Sequence, residues 1–139
     1  LPSFRGFVKR GATLPQNVRD LHKVGNVVTY EGYTSTSIST EFPGQDKFYI
    51  YSKQGKPVMS ISAVQGEDEV LFKSNSRFKV LDVNSHGGVN TYVMKEVTDQ
   101  DDPAEESKLE EEILAKIKAD RAPASETKAI PEAKALGFS

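Results

Sequence analysis

Between residues 4 and 97 the chain consists of short apolar runs, rich in β-branched and aromatic residues, split by Gly, Asn, Ser and Pro. Runs of that length and texture predict strands. The candidates are Ser3–Val8, Val27–Tyr30, Lys47–Tyr51, Val58–Ala63, Glu69–Phe72, Arg77–Asp82 and Thr91–Glu96. The last alternates, with Tyr92, Met94 and Glu96 on one side and Thr91, Val93 and Lys95 on the other. Residues 74–76 and 86–88 read as turns, so 77–83 and 91–97 predict a hairpin around His86-Gly87-Gly88. Leu14–Val24 predicts a short helix with Val18, Leu21 and His22 on one face and Gly25 at its end.

After residue 98 the pattern changes from strand-like to helical. Asp102 is suited to cap a helix and Pro103 to open it. Glu105, Glu106 and Glu110–Glu112 precede Lys116, Lys118 and Arg121, an order that complements the helix dipole. Leu109, Ile113, Leu114 and Ile117 form a narrow apolar stripe. Pro123 is expected to stop the helix, giving a span of about 103–121. The Ala, Pro, Ser, Glu and Lys-rich end beyond it predicts disorder. The expected organisation is a body at 1–98 and an acidic tail at 99–139.

Charge sharpens this division. Residues 1–98 hold 12 Lys and Arg against 9 Asp and Glu, a net of +3; residues 99–139 hold 6 against 11, a net of −5. The absence of cysteine excludes a disulfide scaffold, a thiolate metal site and a Cys nucleophile. His22 and His86 stand far apart and do not suggest a metal site, so none is expected. No apolar run reaches the length of a membrane-spanning helix, and the acidic polar face of the tail argues against anionic lipid. The chain begins at Leu1, so the expectation is a processed fragment or excised domain, with any targeting signal upstream.

Three local signals carry chemistry. Phe4-Arg5-Gly6-Phe7 places an Arg inside an apolar strand, where burial is costly unless an anion meets it, and a Gly that lets a ligand reach the backbone. Tyr33-Thr34-Ser35-Thr36-Ser37 clusters small hydroxyls. Glu67-Asp68-Glu69 stands directly before Val70-Leu71-Phe72. On a strand or its entrance, Glu67 and Glu69 share a face and Asp68 points away.

In that order, Arg5, Ser35-Thr36-Ser37 and Glu67-x-Glu69 resemble the triad of the mono-ADP-ribosyltransferases of the Arg-Ser-Glu class, the clan of arginine-modifying bacterial toxins. The resemblance covers residues 3–97, and Arg77-Phe78-Lys79-Val80 looks like the family's next strand. It implies an α+β fold, a split β-sandwich with the acidic helix C-terminal to it. It also implies NAD as substrate and transfer of ADP-ribose to an arginine of a target protein, with nicotinamide released. Arg5 would pair with an NAD phosphate, and the Gly6 backbone would hold the nicotinamide carboxamide. Ser35 would hold the ribose and orient Glu69, while Thr36 and Ser37 brace the strand and its turn. Glu69 would stabilise the cationic sugar, and Glu67 would bind the acceptor and take its proton. Phe42 is the aromatic expected against nicotinamide, with Phe48 and Tyr49 as rivals. The setting implied is a secreted or delivered toxin or effector acting in the cytoplasm of a target cell.

The chain departs from the family in two respects. Only four residues precede Arg5, so the helical lobe that normally stands before it is missing or reduced, and 29 residues, a short connection, separate Ser37 from Glu67. An inhibitor or immunity protein, or an upstream lobe, is a candidate partner for the tail helix. Two alternatives stay open: ADP-ribosylation of nucleic acid, supported only by the +3 body, and a catalytically reduced binding module of the same fold.

Overall fold

The structure is a computed structural model that describes residues 2–58 and 68–129, with side chains to residue 121. The chain divides into two compact units, residues 1–100 and 101–139. The first unit is made of β1 (Phe4–Ala12), α1 (Gln16–Arg19), β2 (Val27–Tyr30), β3 (Thr34–Ser37), β4 (Asp46–Pro57), β5 (Glu69–Phe72), β6 (Ser76–His86) and β7 (Val89–Val97). The second contributes α2 (Pro103–Ala129).

β4 organises the first unit. It pairs antiparallel with β1 and parallel with β7, which pairs antiparallel with β6, and β6 with β2. That gives one wing in the order β1-β4-β7-β6-β2. β3 pairs with β5, β5 with Lys56 and Pro57 at the end of β4, and β3 with β1 at Lys9 and Ser37. β1 and β4 therefore belong to both wings, and the sheet is split between them. The core lies where the wings face. Phe48 stacks on Tyr92 with ring centres 5.0 Å apart, and Phe72 meets Phe78 edge-on at 5.0 Å. Val8, Ile50, Val70, Val80 and Met94 are buried with them. Each such side chain contributes about 2 kcal/mol through its burial.

Two buried acids hold β4 at its ends. Asp46 accepts from Leu14 N at 2.8 Å, Arg19 Nε and Nη2 at 3.1 and 2.8 Å, Asn90 Nδ2 at 3.0 Å and Tyr92 Oη at 3.1 Å. Burial alone would raise its pKa, but these donors, Arg19 foremost, overcome it and hold the carboxyl far below the usual carboxylate range. At the far end, β4 leaves β7 after Tyr51 to reach β5. There the amides of Lys53 and Gln54 both donate to Glu96 Oε1, at 2.8 and 2.7 Å. Glu96, 4% exposed, gives these two donors the acceptor that the parting strand cannot.

β2 and β5 span the residues predicted for them, and β6 and β7 form the predicted hairpin through Gly87-Gly88. β1 and β4 run well beyond the predicted Ser3–Val8 and Lys47–Tyr51. Of the candidate Val58–Ala63, Val58 follows β4 outside any strand, and the rest lies outside the described residues.

The predicted helix over Leu14–Val24 is corrected to a single turn. Pro15 O accepts from Val18 N and Arg19 N, and i→i−3 bonds from Leu21 and His22 then close the turn. Arg19 is drawn to Asp46. The His22 ring packs 5.6 Å from Phe48 and 5.4 Å from Tyr92, while Leu21 stays 58% exposed, so no helical face forms. The tail helix is also longer than predicted. Asp102 caps it through Glu105 N at 3.1 Å, but it runs past Pro123 to Ala129. A proline removes one backbone donor, and the strong helix formers around it compensate.

His22 is held neutral in the fold. Burial lowers its pKa, Nδ1 donates to Val18 O at 3.0 Å, and Nε2 accepts from Tyr30 Oη at 2.8 Å. Below about pH 6.5 the unfolded chain takes up a proton that folded His22 refuses, so stability falls as pH drops from 7 towards 5. His22→Phe is expected to flatten the pH dependence of Tm over that interval. Removing the Asp46 hub leaves Arg19, Asn90 and Tyr92 without their acceptor. Asp46→Ala is expected to cost about 3 kcal/mol and to lower Tm by about 10 °C or more, measured by thermal unfolding at pH 7.

Candidate active site

The hydroxyl cluster forms β3, and its alternation sorts the side chains. Thr34 and Thr36 turn into the core, and Ser35 is exposed on the other face. Thr36 Oγ1 donates to Val70 O at 2.7 Å, which satisfies a buried hydroxyl and ties β3 to β5. β3 and β5 pair Ser35 with Leu71 and Ser37 with Glu69. Glu69 and Leu71 are two apart and so share the outer face with Ser35. Across that face Ser35 Oγ donates to Glu69 Oε2 at 2.6 Å. The hydroxyl thus fixes one carboxylate oxygen in a half-open position.

Ser37 closes the end of β3. Its Oγ accepts from Ser39 N at 3.2 Å and Thr40 N at 2.9 Å, which turns the chain sharply after the strand. Asp68 bonds within that turn: its carboxylate accepts from Ser39 Oγ and its backbone oxygen from Ile38 N. The middle acid of the run is therefore a brace for the turn, and Glu69 faces the site. Glu67 lies outside the described residues.

Arg5 stands on β1, which pairs with both β3 and β4. It is exposed, so the cost of burying an arginine does not arise, and it is not hydrogen-bonded to Ser35 or Glu69. The pairs Phe4 with Gly55 and Gly6 with Ser52 leave Arg5 facing two residues of β4, Lys53 and Gln54. This is a β-bulge on β4. Gly6 has φ +146°, and a Cβ there would lie 3.2 Å from the Phe4 ring. The glycine leaves the β1 backbone bare beside Arg5. On the same face as Ser35, a cavity of about 360 Å³ is lined by Ser3, Tyr33, Gln54, Lys56, Leu71 and Lys73.

The three aromatic candidates separate clearly. Phe48 is 1% exposed in the core stack and has no free face. Tyr49 is half-buried, with its hydroxyl 3.4 Å from Glu41 Oε1. Phe42 is half-buried in the loop that lies over β1. Sequence reasoning missed what holds this loop. Lys9 Nζ pairs with Glu41 Oε2 at 2.7 Å, and the hydrogen bond from Lys9 holds the Glu41 carboxyl below its ordinary range. At Gly11, an added Cβ would stand 2.6 Å from Pro43 O and 2.8 Å from Phe42 Cβ. The readable signal was a second Gly in the strand, two residues after Lys9, following the apolar and charged run Phe7-Val8-Lys9-Arg10. Among the described residues no cluster of three His, Asp or Glu side chains could hold a metal ion.

The split sandwich, with a hydroxyl strand bonded to a glutamate strand, is the fold of the ADP-ribosyltransferases. The ADP-ribosyltransferase Vis from Vibrio splendidus matches 71% of this chain and 51% of its own, with a TM-score of 0.59 and 21% identity. The type III effector XopAI from Xanthomonas axonopodis pv. citri matches 69% of this chain and 45% of its own, with a TM-score of 0.59 and 20% identity. In sequence the body is similar to proteins named as arginine-directed members. It is 31% identical over 97 residues to the NAD(+)–protein-arginine ADP-ribosyltransferase Tre1 of Serratia proteamaculans. That match covers 70% of this chain and 22% of the relative, so the chain spans about a fifth of that protein's length. No protein-family model matches the chain.

The loop contact at Gly11 is open to test. Gly11→Ala forces Phe42 and Pro43 off β1. The expected outcome is a loss of about 1–3 kcal/mol in thermal unfolding and a displaced Phe42 ring resonance.

Proposed function

We propose that this chain is the catalytic core of an NAD-dependent mono-ADP-ribosyltransferase that modifies an arginine side chain of a target protein. The observation that carries this reading is the 2.6 Å bond from Ser35 Oγ to Glu69 Oε2 on an open face, with Arg5 on the strand beside it. The Tre1 similarity supports arginine as the acceptor.

Arg5 takes the diphosphate of NAD, with Lys56 and Lys73 adding positive charge to the same face. The bare Gly6 backbone binds the nicotinamide carboxamide, and Phe42 packs on the nicotinamide ring. The glycosidic bond between ribose C1′ and the nicotinamide nitrogen breaks, and its electron pair leaves with nicotinamide. Positive charge then gathers on the ribose. Glu69 stabilises it from a position that Ser35 has already fixed, so little reorganisation is needed in the transition state. Thr36 and Ser37 keep β3 in register for that contact. The acceptor guanidinium is a poor nucleophile while protonated. Glu67 binds it and takes its proton as the arginine nitrogen bonds to C1′. Water in place of the arginine gives slow NAD hydrolysis.

The setting proposed is delivery into a target cell, with action in its cytoplasm. It is supported by the likeness to a protein named as a type III effector. An inhibitor or immunity protein, or an upstream lobe, is the proposed partner of α2.

The test is transfer of label from NAD in a cell lysate, with portions treated with protease or nuclease. Label on a protease-sensitive band is expected, with Glu69→Gln and Glu67→Ala each lowering it by roughly 100-fold or more. Nuclease-sensitive label would move the acceptor to nucleic acid. Unchanged labelling by Glu69→Gln would overturn the mechanism. A wild-type chain that neither labels nor gains thermal stability with NAD would leave only a binding module.

A further inference from the structure

We propose that Glu96 is a positioning residue for Arg5, acting through the bulge of β4. This rests on the reading that Arg5 binds the NAD diphosphate. β4 is paired with β7 as far as Tyr51 and with β5 from Lys56. Between those points two consecutive amides, Lys53 and Gln54, donate to one oxygen of Glu96. Lys53 and Gln54 are also the two residues that face Arg5 across the β1 ladder. Glu96 therefore holds, from the β7 side, the segment against which the Arg5 backbone is registered.

The flanks of the bulge are locked as well. Ser52 Oγ donates to Phe4 O at 2.8 Å and accepts from Gly55 N at 3.2 Å. Phe4 and Gly6, the neighbours of Arg5, are thus each fixed to one edge of the bulge. With both edges held, the setting of the bulge follows the two amide bonds to Glu96. If they are lost, a buried and a half-buried donor need new acceptors, and the bulge rotates to find them. Arg5 then moves with it. A fork such as a guanidinium tolerates little misdirection when it grips phosphate oxygens through paired bonds.

The chemistry of the side chain makes a sharp distinction among substitutions. Glutamine has the same length and still offers one oxygen to both amides. Aspartate keeps the charge but is one methylene short. Alanine offers nothing. If geometry is what matters, Gln restores function and Asp does not.

The experiment compares wild type, Glu96→Gln, Glu96→Asp and Glu96→Ala, with Val80→Ala as a core variant of lowered stability on β6, which does not pair with the bulged strand β4. Two quantities are read: NAD affinity by calorimetry, and the backbone and Nε–Hε NMR signals of Arg5, which need no NAD. Glu96→Ala and Glu96→Asp are expected to weaken NAD binding about tenfold and to shift the Arg5 signals. Glu96→Gln is expected to stay within about twofold, and Val80→Ala to lower Tm without moving either readout. Arg5 signals that stay in place in Glu96→Asp and Glu96→Ala would overturn the proposal, as would equal loss of affinity in Val80→Ala. Should Glu96→Ala fail to fold, the Gln and Asp pair decides. A wild type that does not bind NAD would remove the proposed function, and the Arg5 signals alone would then decide the role of Glu96.

Discussion

A strand that serves two sheets must leave one of them, and at the parting its backbone donors lose their partners. β4 is such a strand. It runs from Asp46 to Pro57, pairs with β7 over its first half and with β5 at its end, and lies against β1 from Asp46 to Gly55. The two wings are joined because β4, with β1 beside it, belongs to both. A buried acid stands at each of its critical points. Asp46 gathers the α1 segment, β7 and the core tyrosine at the start. Glu96 supplies the missing acceptor at the crossing. Burying a lone carboxylate is expensive, and here each is met by two or more donors that offset the cost.

The site follows from this construction. Splitting the sheet opens a face on which β3 and β5 meet, and Ser35, Glu69 and Leu71 stand outward on it. Behind them Thr36, Val70 and Phe72 are packed and bonded, so the outward pair is held by a rigid back wall. The Ser35 and Glu69 contact is thus set by strand register, and a one-residue slip of either strand would turn its own member of the pair into the core. Arg5 and Phe42 are held by other means, a bulge and a pinned loop, which leaves their settings dependent on residues outside the pair.

Much of this was readable in the chain. β2 and β5 are short, apolar and bracketed by turn residues, so their limits agreed with prediction. The order of Arg5, Ser35 and Glu69 pointed to a family that similarity then supported. β4 was read too short because Ser52 to Lys56 is polar and contains Gly, which is loop texture. That segment is strand because it crosses between sheets, a tertiary demand with no local signature. Asp46 and Glu96 did leave a trace. Asp46 is in phase with Phe48 and Ile50, and Glu96 with Tyr92 and Met94, so each acid sits on the buried side of its strand. An acid in phase with the core must be heavily hydrogen-bonded, and that inference was available from the alternation alone. α1 was over-read because Val18, Leu21 and His22 mimic a helical face, while Arg19 and His22 are each claimed by the core instead.

The parallel pairing of β4 with β7 has a consequence for how the body comes into being. Its two members are joined through β5 and β6, so the contact closes a loop that spans most of the second half of the body. A strand at residue 46 has to wait for one at residue 90, and β1, although already synthesised, can offer β4 only one of its two edges. As the chain emerges from the ribosome, β1 can pair with β4 and β3 with β5, but the wing β1-β4-β7-β6-β2 closes only once β7 is made, so its completion comes late.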